Sequence, residues 1–120
     1  APFAVKLFAD NDKFIVEPDI SVICDPNKLT DRGCTGAPDW IIEIISPGTA
    51  GYDYIRKLGL YADAGVREYW IVDPDKKLVL VYTLVEGQYY VPEVYTARDS
   101  VPVGVLEDCA VDLTAVFPEE

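Results

Sequence analysis

Residues 40–73 constrain the chain more than any other stretch. An apolar run, Trp40-Ile41-Ile42-Glu43-Ile44-Ile45-Ser46, is followed by a turn holding Pro47, Gly48 and Gly51. An amphipathic segment then ends at Gly65, before a second apolar run, Glu68-Tyr69-Trp70-Ile71-Val72-Asp73. Two short runs of strand-forming residues around one helical repeat make a βαβ unit, with parallel strands and a right-handed crossover. The pattern predicts strands at 40–46 and 68–73. Between them it predicts a helix over 52–64, with Ile55, Leu58 and Tyr61/Ala62 on the buried stripe and Gly65 at the C′ position. In a covered strand Ile42 and Ile44 face one side, while Ile41, Glu43 and Ile45 face the other.

Glu43 is the anomaly in that unit. Among four isoleucines an ionised carboxylate loses its hydration and needs a metal, a cation or strong hydrogen bonds in return. A structural Lys or Arg pair would satisfy it as well as a functional partner would. Asp53 and Lys57, four residues apart, share one helix face. Asp53 reads equally well as a surface ion-pair member, but Lys57 lies where the helix passes the carboxyl end of the Glu43 strand. Sites in open α/β sheets usually form there, and a lysine at that place can reach back toward Glu43.

The rest of the chain reads as mostly sheet. Residues 1–8 and the strand beginning at Phe14 form a hairpin around the polar turn Asp10-Asn11-Asp12-Lys13. Residues 14–24 alternate, with Glu17 and Asp19 on one surface, and Pro18 predicts an edge, a bulge or a strand break. Residues 25–38 read as a loop with a helical turn near 26–30. A turn at 74–77 leads to a strand over 78–84, and Glu86-Gly87-Gln88 turns it into a strand over 89–95. A short strand near 110–113 and a helical turn close the chain. The fold class is α/β, mainly sheet around one central βαβ helix, and residues 1–120 are expected to form one domain.

Several chemistries are excluded. The chain has no histidine, so it cannot supply a Ser-His-Asp or Cys-His arrangement or a histidine-rich metal site. Cys24, Cys34 and Cys109 form no C-x-x-C pair and read as idle thiols of a reducing compartment. No apolar run reaches the ~18 residues that span a bilayer, and no signal peptide opens the chain, so no membrane partner and a cytoplasmic location are expected. The chain lacks methionine and opens on Ala1-Pro2-Phe3, which reads as the middle of a β segment, hence a fragment or a processed form. The net charge of −11 argues against broad nucleic-acid binding. Much of the acid sits in the tail, however: residues 86–120 carry eight acidic residues and one base, Arg98.

Asp19 and Glu43 on neighbouring strands would offer two hard oxygen ligands, suited to Mg2+ or Mn2+ completed by water and a substrate phosphate. Such an ion activates water and neutralises phosphoryl oxygens, and Lys57 would position the water or stabilise the developing anion. Gly48-Thr49-Ala50-Gly51 matches neither a P-loop nor G-x-G-x-x-G and reads as a plain βα turn rather than a phosphate cradle. Tyr69, Trp70, Tyr89, Tyr90 and Tyr95 could stack on bases, although aromatics in strands are more often core or dimer contacts.

The residues also match a family. Glu17-Pro18-Asp19-Ile20, then Gly36-Ala37-Pro38-Asp39-Trp40-Ile41-Ile42-Glu43-Ile44-Ile45-Ser46-Pro47, Asp53-x-x-x-Lys57, Tyr61, and Ala64-Gly65-Val66-x-Glu68-Tyr69-Trp70-Ile71-Val72-Asp73-Pro74 closely resemble the Uma2 (DUF820) family of the PD-(D/E)xK nuclease superfamily. The resemblance runs over residues 1–82 and more loosely to 117. It implies a restriction-endonuclease-like mixed sheet, with Asp19 as the aspartate of the PD element and Glu43 as the following acid. The superfamily lysine normally stands two positions after that acid, where this chain has Ile45, and Lys57 is the natural replacement. Relatives carry an N-terminal helix that this chain lacks, which fits an N-terminally truncated domain. The resemblance implies a Mg2+-dependent endonuclease acting on DNA, with a non-catalytic assembly or binding module on the same scaffold as the alternative.

A homodimer is expected on three grounds. Two sites suit two strands of a duplex; residues 78–95 hold more apolar surface than one helix covers; and an acidic tail turned away from DNA leaves Lys13, Lys28, Arg32, Arg56 and Lys57 as phosphate contacts.

Overall fold

The computed structural model describes residues 3–8, 11–46 and 50–118, with the side chains of residues 11, 12 and 50–54 left aside. The proposed turn at Asp10 and the loop Gly48-Thr49 lie outside the described residues, as does the side chain of Asp53. A six-stranded sheet forms the centre. It runs β3 (Ile20–Val22), β5 (Trp40–Ile44), β6 (Glu68–Asp73), β7 (Leu78–Val85) and β8 (Gln88–Tyr89), with β9 (Glu93–Thr96) also on β7. β5 and β6 are parallel, joined by α1 (Ala50–Ala64), and the other pairs are antiparallel. The predicted βαβ unit is present.

Period-2 alternation divides the molecule into two cores. On one face Ile41, Tyr69, Ile71 and Tyr82 pack with Tyr61 of α1 and with Val5, Leu7 and Cys34 of a second sheet. That sheet has the order β2 (Asn11–Val16), β1 (Ala4–Phe8), β4 (Gly33–Thr35). On the other face Trp40, Trp70, Val79 and Val81 pack against Val101, Val103, Leu113 and Phe117 of the C-terminal segment. This segment holds β10 (Ser100–Pro102), β11 (Ala110–Asp112) and α2 (Leu113–Val116). It supplies part of the cover for the apolar strands of residues 78–95, for which the sequence alone points to a partner subunit.

Local chemistry explains the boundaries. Pro18 breaks the alternating run 14–24 outright, so that β2 pairs β1 in one sheet and β3 pairs β5 in another. Gly65 (φ 90°) ends α1: its N–H reaches the Ala62 carbonyl and the Val66 N–H reaches that of Tyr61, a Schellman closure. Glu86 and Gly87, both at positive φ, make the two-residue turn between β7 and β8.

Three expectations need correction. Residues 25–38 are not all loop, because β4 runs parallel to β1 there. Gly33 permits this, since a Cβ at that position would lie 1.7 Å from the Ala4 carbonyl oxygen. Ile55 is not on the buried stripe but 69% exposed. Six positions at about 100° each place it about 120° around the helix from Tyr61, which is fully buried. β10 was not foreseen: it is three residues long and ends on Pro102.

Candidate functional site

The site is built where β5, β3 and α1 meet. Alternation along β5 turns Glu43 to the α1 side of the sheet, where it is 6% exposed. Lys57 and Tyr61 stand one turn apart on α1, so both side chains descend on the same place. Lys57 Nζ donates to Glu43 Oε2 at 2.5 Å, and the Tyr61 hydroxyl donates to the same oxygen at 3.4 Å. The Lys57 side chain keeps 31% of its surface exposed. The pair therefore borders solvent from the lysine side and core from the glutamate side.

Asp19 enters from β3. Ile20 pairs with Ile42, so Asp19 stands one step beyond the ladder, next to the position of Glu43. Its Oδ2 accepts the Ile44 N–H at 2.7 Å, and the side chain remains exposed. Tyr61 registers both acids. Burial raises its phenol far above the ordinary range, followed by the Glu43 charge and hydrogen bond and, more weakly, by the charges of Tyr89 and Asp19. Asp19, Glu43 and Lys57 are thus gathered at the carboxyl end of β5. Glu17, next to the Pro18 break, is exposed.

The donor set fits a small hard cation. Among the described residues no three His, Cys, Asp or Glu side chains cluster, and the two carboxylates that stand at this strand end are Asp19 and Glu43. Mg2+ is typically held by one or two carboxylates, with waters and substrate phosphates completing its shell. In the chain alone, Lys57 provides the positive charge that a buried carboxylate requires.

Other candidates serve the fold. Lys28 Nζ donates to the Ala37 carbonyl at 2.9 Å, while Arg32 and Arg56 are exposed. Asp39, at the opposite end of β5, accepts the Cys24 N–H at 2.8 Å and Arg67 at 3.1 Å. Burial pushes the Asp39 carboxyl up, but the Cys24 N–H, Arg67 and Lys28 outweigh it and hold the group below its ordinary value. Tyr69 and Trp70 are buried, so they are core residues and not base-stacking surfaces. Two surface hollows lie elsewhere: one of about 420 Å³ beside Lys77, Arg98 and Thr114, and an apolar one of about 200 Å³ beside Ile20, Ile42 and Ile44. Neither is lined by Asp19, Glu43 or Lys57.

The sequence places Tyr61 on the buried stripe and in the motif but gives its hydroxyl no role, because that contact exists only once α1 is docked. It also passed over Glu68, a second buried carboxylate at 3% exposure.

The fold that holds this constellation is the α/β fold of nucleases. A solved structure described as a putative nuclease belonging to DUF820, from Anabaena variabilis ATCC 29413, superposes with a TM-score of 0.72 at 25% identity. The match covers 96% of this chain and 64% of that one, so the chain spans less than two thirds of the length of this solved protein. The family model named Uma2 and described as "Putative restriction endonuclease" matches residues 4–114, and the chain belongs to that family. Curated proteins gave no match.

Proposed function

We propose that this protein is a Mg2+-dependent endonuclease that hydrolyses phosphodiester bonds in DNA, with Asp19 and Glu43 holding the ion and Lys57 acting beside it. The observation that carries this reading is the 2.5 Å contact between Lys57 and Glu43. It brings the only lysine of α1 to the acid of β5, beside Asp19, in a family whose description is that of a restriction endonuclease. A structural ion pair alone gives no reason for a second acid, Asp19, to be fixed at the same strand end.

A divalent cation, when bound, supplies positive charge against phosphoryl oxygens and makes water a better nucleophile at neutral pH. The chain's own residues do the rest. Lys57 carries three N–H donors and gives one to Glu43. The remaining two are available to a non-bridging phosphoryl oxygen or to the attacking water, where they stabilise charge as it develops. The Asp19 oxygen bonded to the Ile44 N–H fixes that carboxylate's orientation, leaving its second oxygen for the ion. The thiols of Cys24, Cys34 and Cys109 are unbridged, which suits a cytoplasmic setting, and no helix among the described residues is long and apolar enough to cross a membrane.

A two-fold pair of chains would present one site to each strand of a duplex. Val85, Tyr90, Val91 and Val94, all exposed, are the apolar side chains left for such a contact after the C-terminal segment takes its share.

The test is cleavage of supercoiled plasmid DNA with Mg2+ or Mn2+, with and without chelator. Nicking or linearisation that needs the ion and disappears in Asp19→Asn and Glu43→Gln is the expected result. Intact plasmid under every metal condition overturns the enzyme reading and favours the non-catalytic module, which the net charge of −11 already suits.

A further inference from the structure

We propose that Tyr61 is a positioning residue of the metal site: its hydroxyl, together with Lys57 Nζ, holds Oε2 of Glu43 and so turns Oε1 toward the cation. This rests on the metal reading above and adds to it a residue that touches neither the ion nor the substrate.

The geometry is specific. A glutamate carboxylate turns about a terminal torsion with broad wells, so a single donor leaves its two oxygens free to exchange places. Here two donors from one helix face converge on one oxygen, Lys57 at 2.5 Å and Tyr61 at 3.4 Å. The Tyr61 ring is fully buried and meets Tyr69 edge-on at 4.9 Å, with an interplanar angle of 83°. Tyr69 in turn stacks with Tyr82 at 6.2 Å. The hydroxyl is thus held by an aromatic row anchored in three elements, α1, β6 and β7. Lys57 is partly exposed and its remaining N–H donors turn to a phosphoryl oxygen, whereas the buried Tyr61 hydroxyl stays with Glu43. The tyrosine keeps Oε2 in place while the lysine is shared with the substrate. Groups that orient a metal ligand in this way typically cost ten- to a hundredfold in metal affinity when removed.

The experiment is a calorimetric titration of the chain with Mn2+ alone, without nucleic acid. It compares the parent with Glu43→Gln, Tyr61→Phe and Val66→Ala, the last being a fully buried change in the same core that lowers stability without touching Glu43. Tyr61→Phe should weaken Mn2+ about tenfold, Glu43→Gln should abolish binding, and Val66→Ala should leave affinity unchanged. In plasmid cleavage at saturating Mn2+, Tyr61→Phe should recover most of its rate, which a disrupted core would not. Equal affinity in the parent and Tyr61→Phe overturns this inference alone. A parent that binds no Mn2+ overturns the metal reading and this inference with it. Should Tyr61→Phe fail to fold, Mn2+ broadening of a labelled Tyr61 ring in the parent replaces it. Broadening of Tyr61 with Tyr95 unaffected supports the proposal, and an unbroadened Tyr61 overturns it.

Discussion

Two buried glutamates, one on each face of the same sheet, have been satisfied in opposite ways. Glu43 on β5, 6% exposed, is met by an ammonium that reaches in from solvent and by a phenol. Glu68 on β6, 3% exposed, is met by neutral groups: the Trp70 indole N–H at 2.5 Å and the Val105 N–H at 3.2 Å. Gly104 lies against it so closely that a Cβ there would stand 2.9 Å from Oε1. The Glu68 carboxylate is enclosed and ties the C-terminal segment to the sheet. Glu43 is closed toward solvent by a charged partner that is itself partly exposed. Depth of burial does not separate these two acids; the chemistry and accessibility of their partners do.

The strongest way to break this contrast is to neutralise each acid in turn and measure ion-dependent plasmid cleavage. Glu43→Gln should lose about a thousandfold, which corresponds to about 4 kcal/mol of transition-state stabilisation. Glu68→Gln should cleave at the parent rate wherever it is folded. Equal losses would mean that the two acids do not differ in kind.

Stability should reverse the order. Removing Glu68 as Glu68→Ala orphans two buried donors and opens a void, at a cost of about 3 kcal/mol in urea unfolding. Glu43→Gln should change stability by less than about 1 kcal/mol, because the partly exposed Lys57 ammonium regains water when its partner is neutralised. A Glu43→Gln chain as unstable as Glu68→Ala would make Glu43 a structural ion-pair member after all.

A finer probe is Gly104→Ala. The added methyl pushes against the Glu68 carboxylate, and about 1 kcal/mol of destabilisation is expected from the displaced contact. Unfolding midpoints that do not move would show that the enclosure of Glu68 is loose.

The smallest effect concerns a third acid at the other end of β5. Asp39 is held below its ordinary 3.8 in the folded chain. The stability it contributes is present above the unfolded value and fades as pH falls through the folded one. Asp39→Asn should therefore flatten the acid limb of a stability–pH curve below about pH 4 by less than about 1 kcal/mol, its partner Arg67 being 57% exposed. A change confined to neutral pH would contradict this assignment.

The sequence made the βαβ unit legible because three local signals agree there: period-2 alternation in β5 and β6, a helical repeat between them, and Gly65 at the turn. Pro18 likewise announces its break without tertiary help. β4 stayed hidden since Gly33 reads as loop punctuation, and only the closeness of Ala4 gives it a reason to be in a strand. At the site, Glu43 stood out against its isoleucines and Lys57 against the strand end. Glu68 did not stand out, as it precedes Tyr69 and Trp70 at what looks like an ordinary strand start. The apolar excess of residues 78–95 was real, but part of its cover comes from residues 101–117 of the same chain, a pairing that no local pattern encodes.

The hydrogen bond from the Ile44 amide to Asp19 has a practical value of its own. This amide directly follows Glu43 in the chain and is polarised by the charge on Asp19. Any ion that draws on that carboxylate must alter the electron density at the Ile44 nitrogen. In an isotopically labelled chain this amide is a nitrogen-15 reporter at the edge of the candidate site, readable in a two-dimensional spectrum before any nucleic acid has been added.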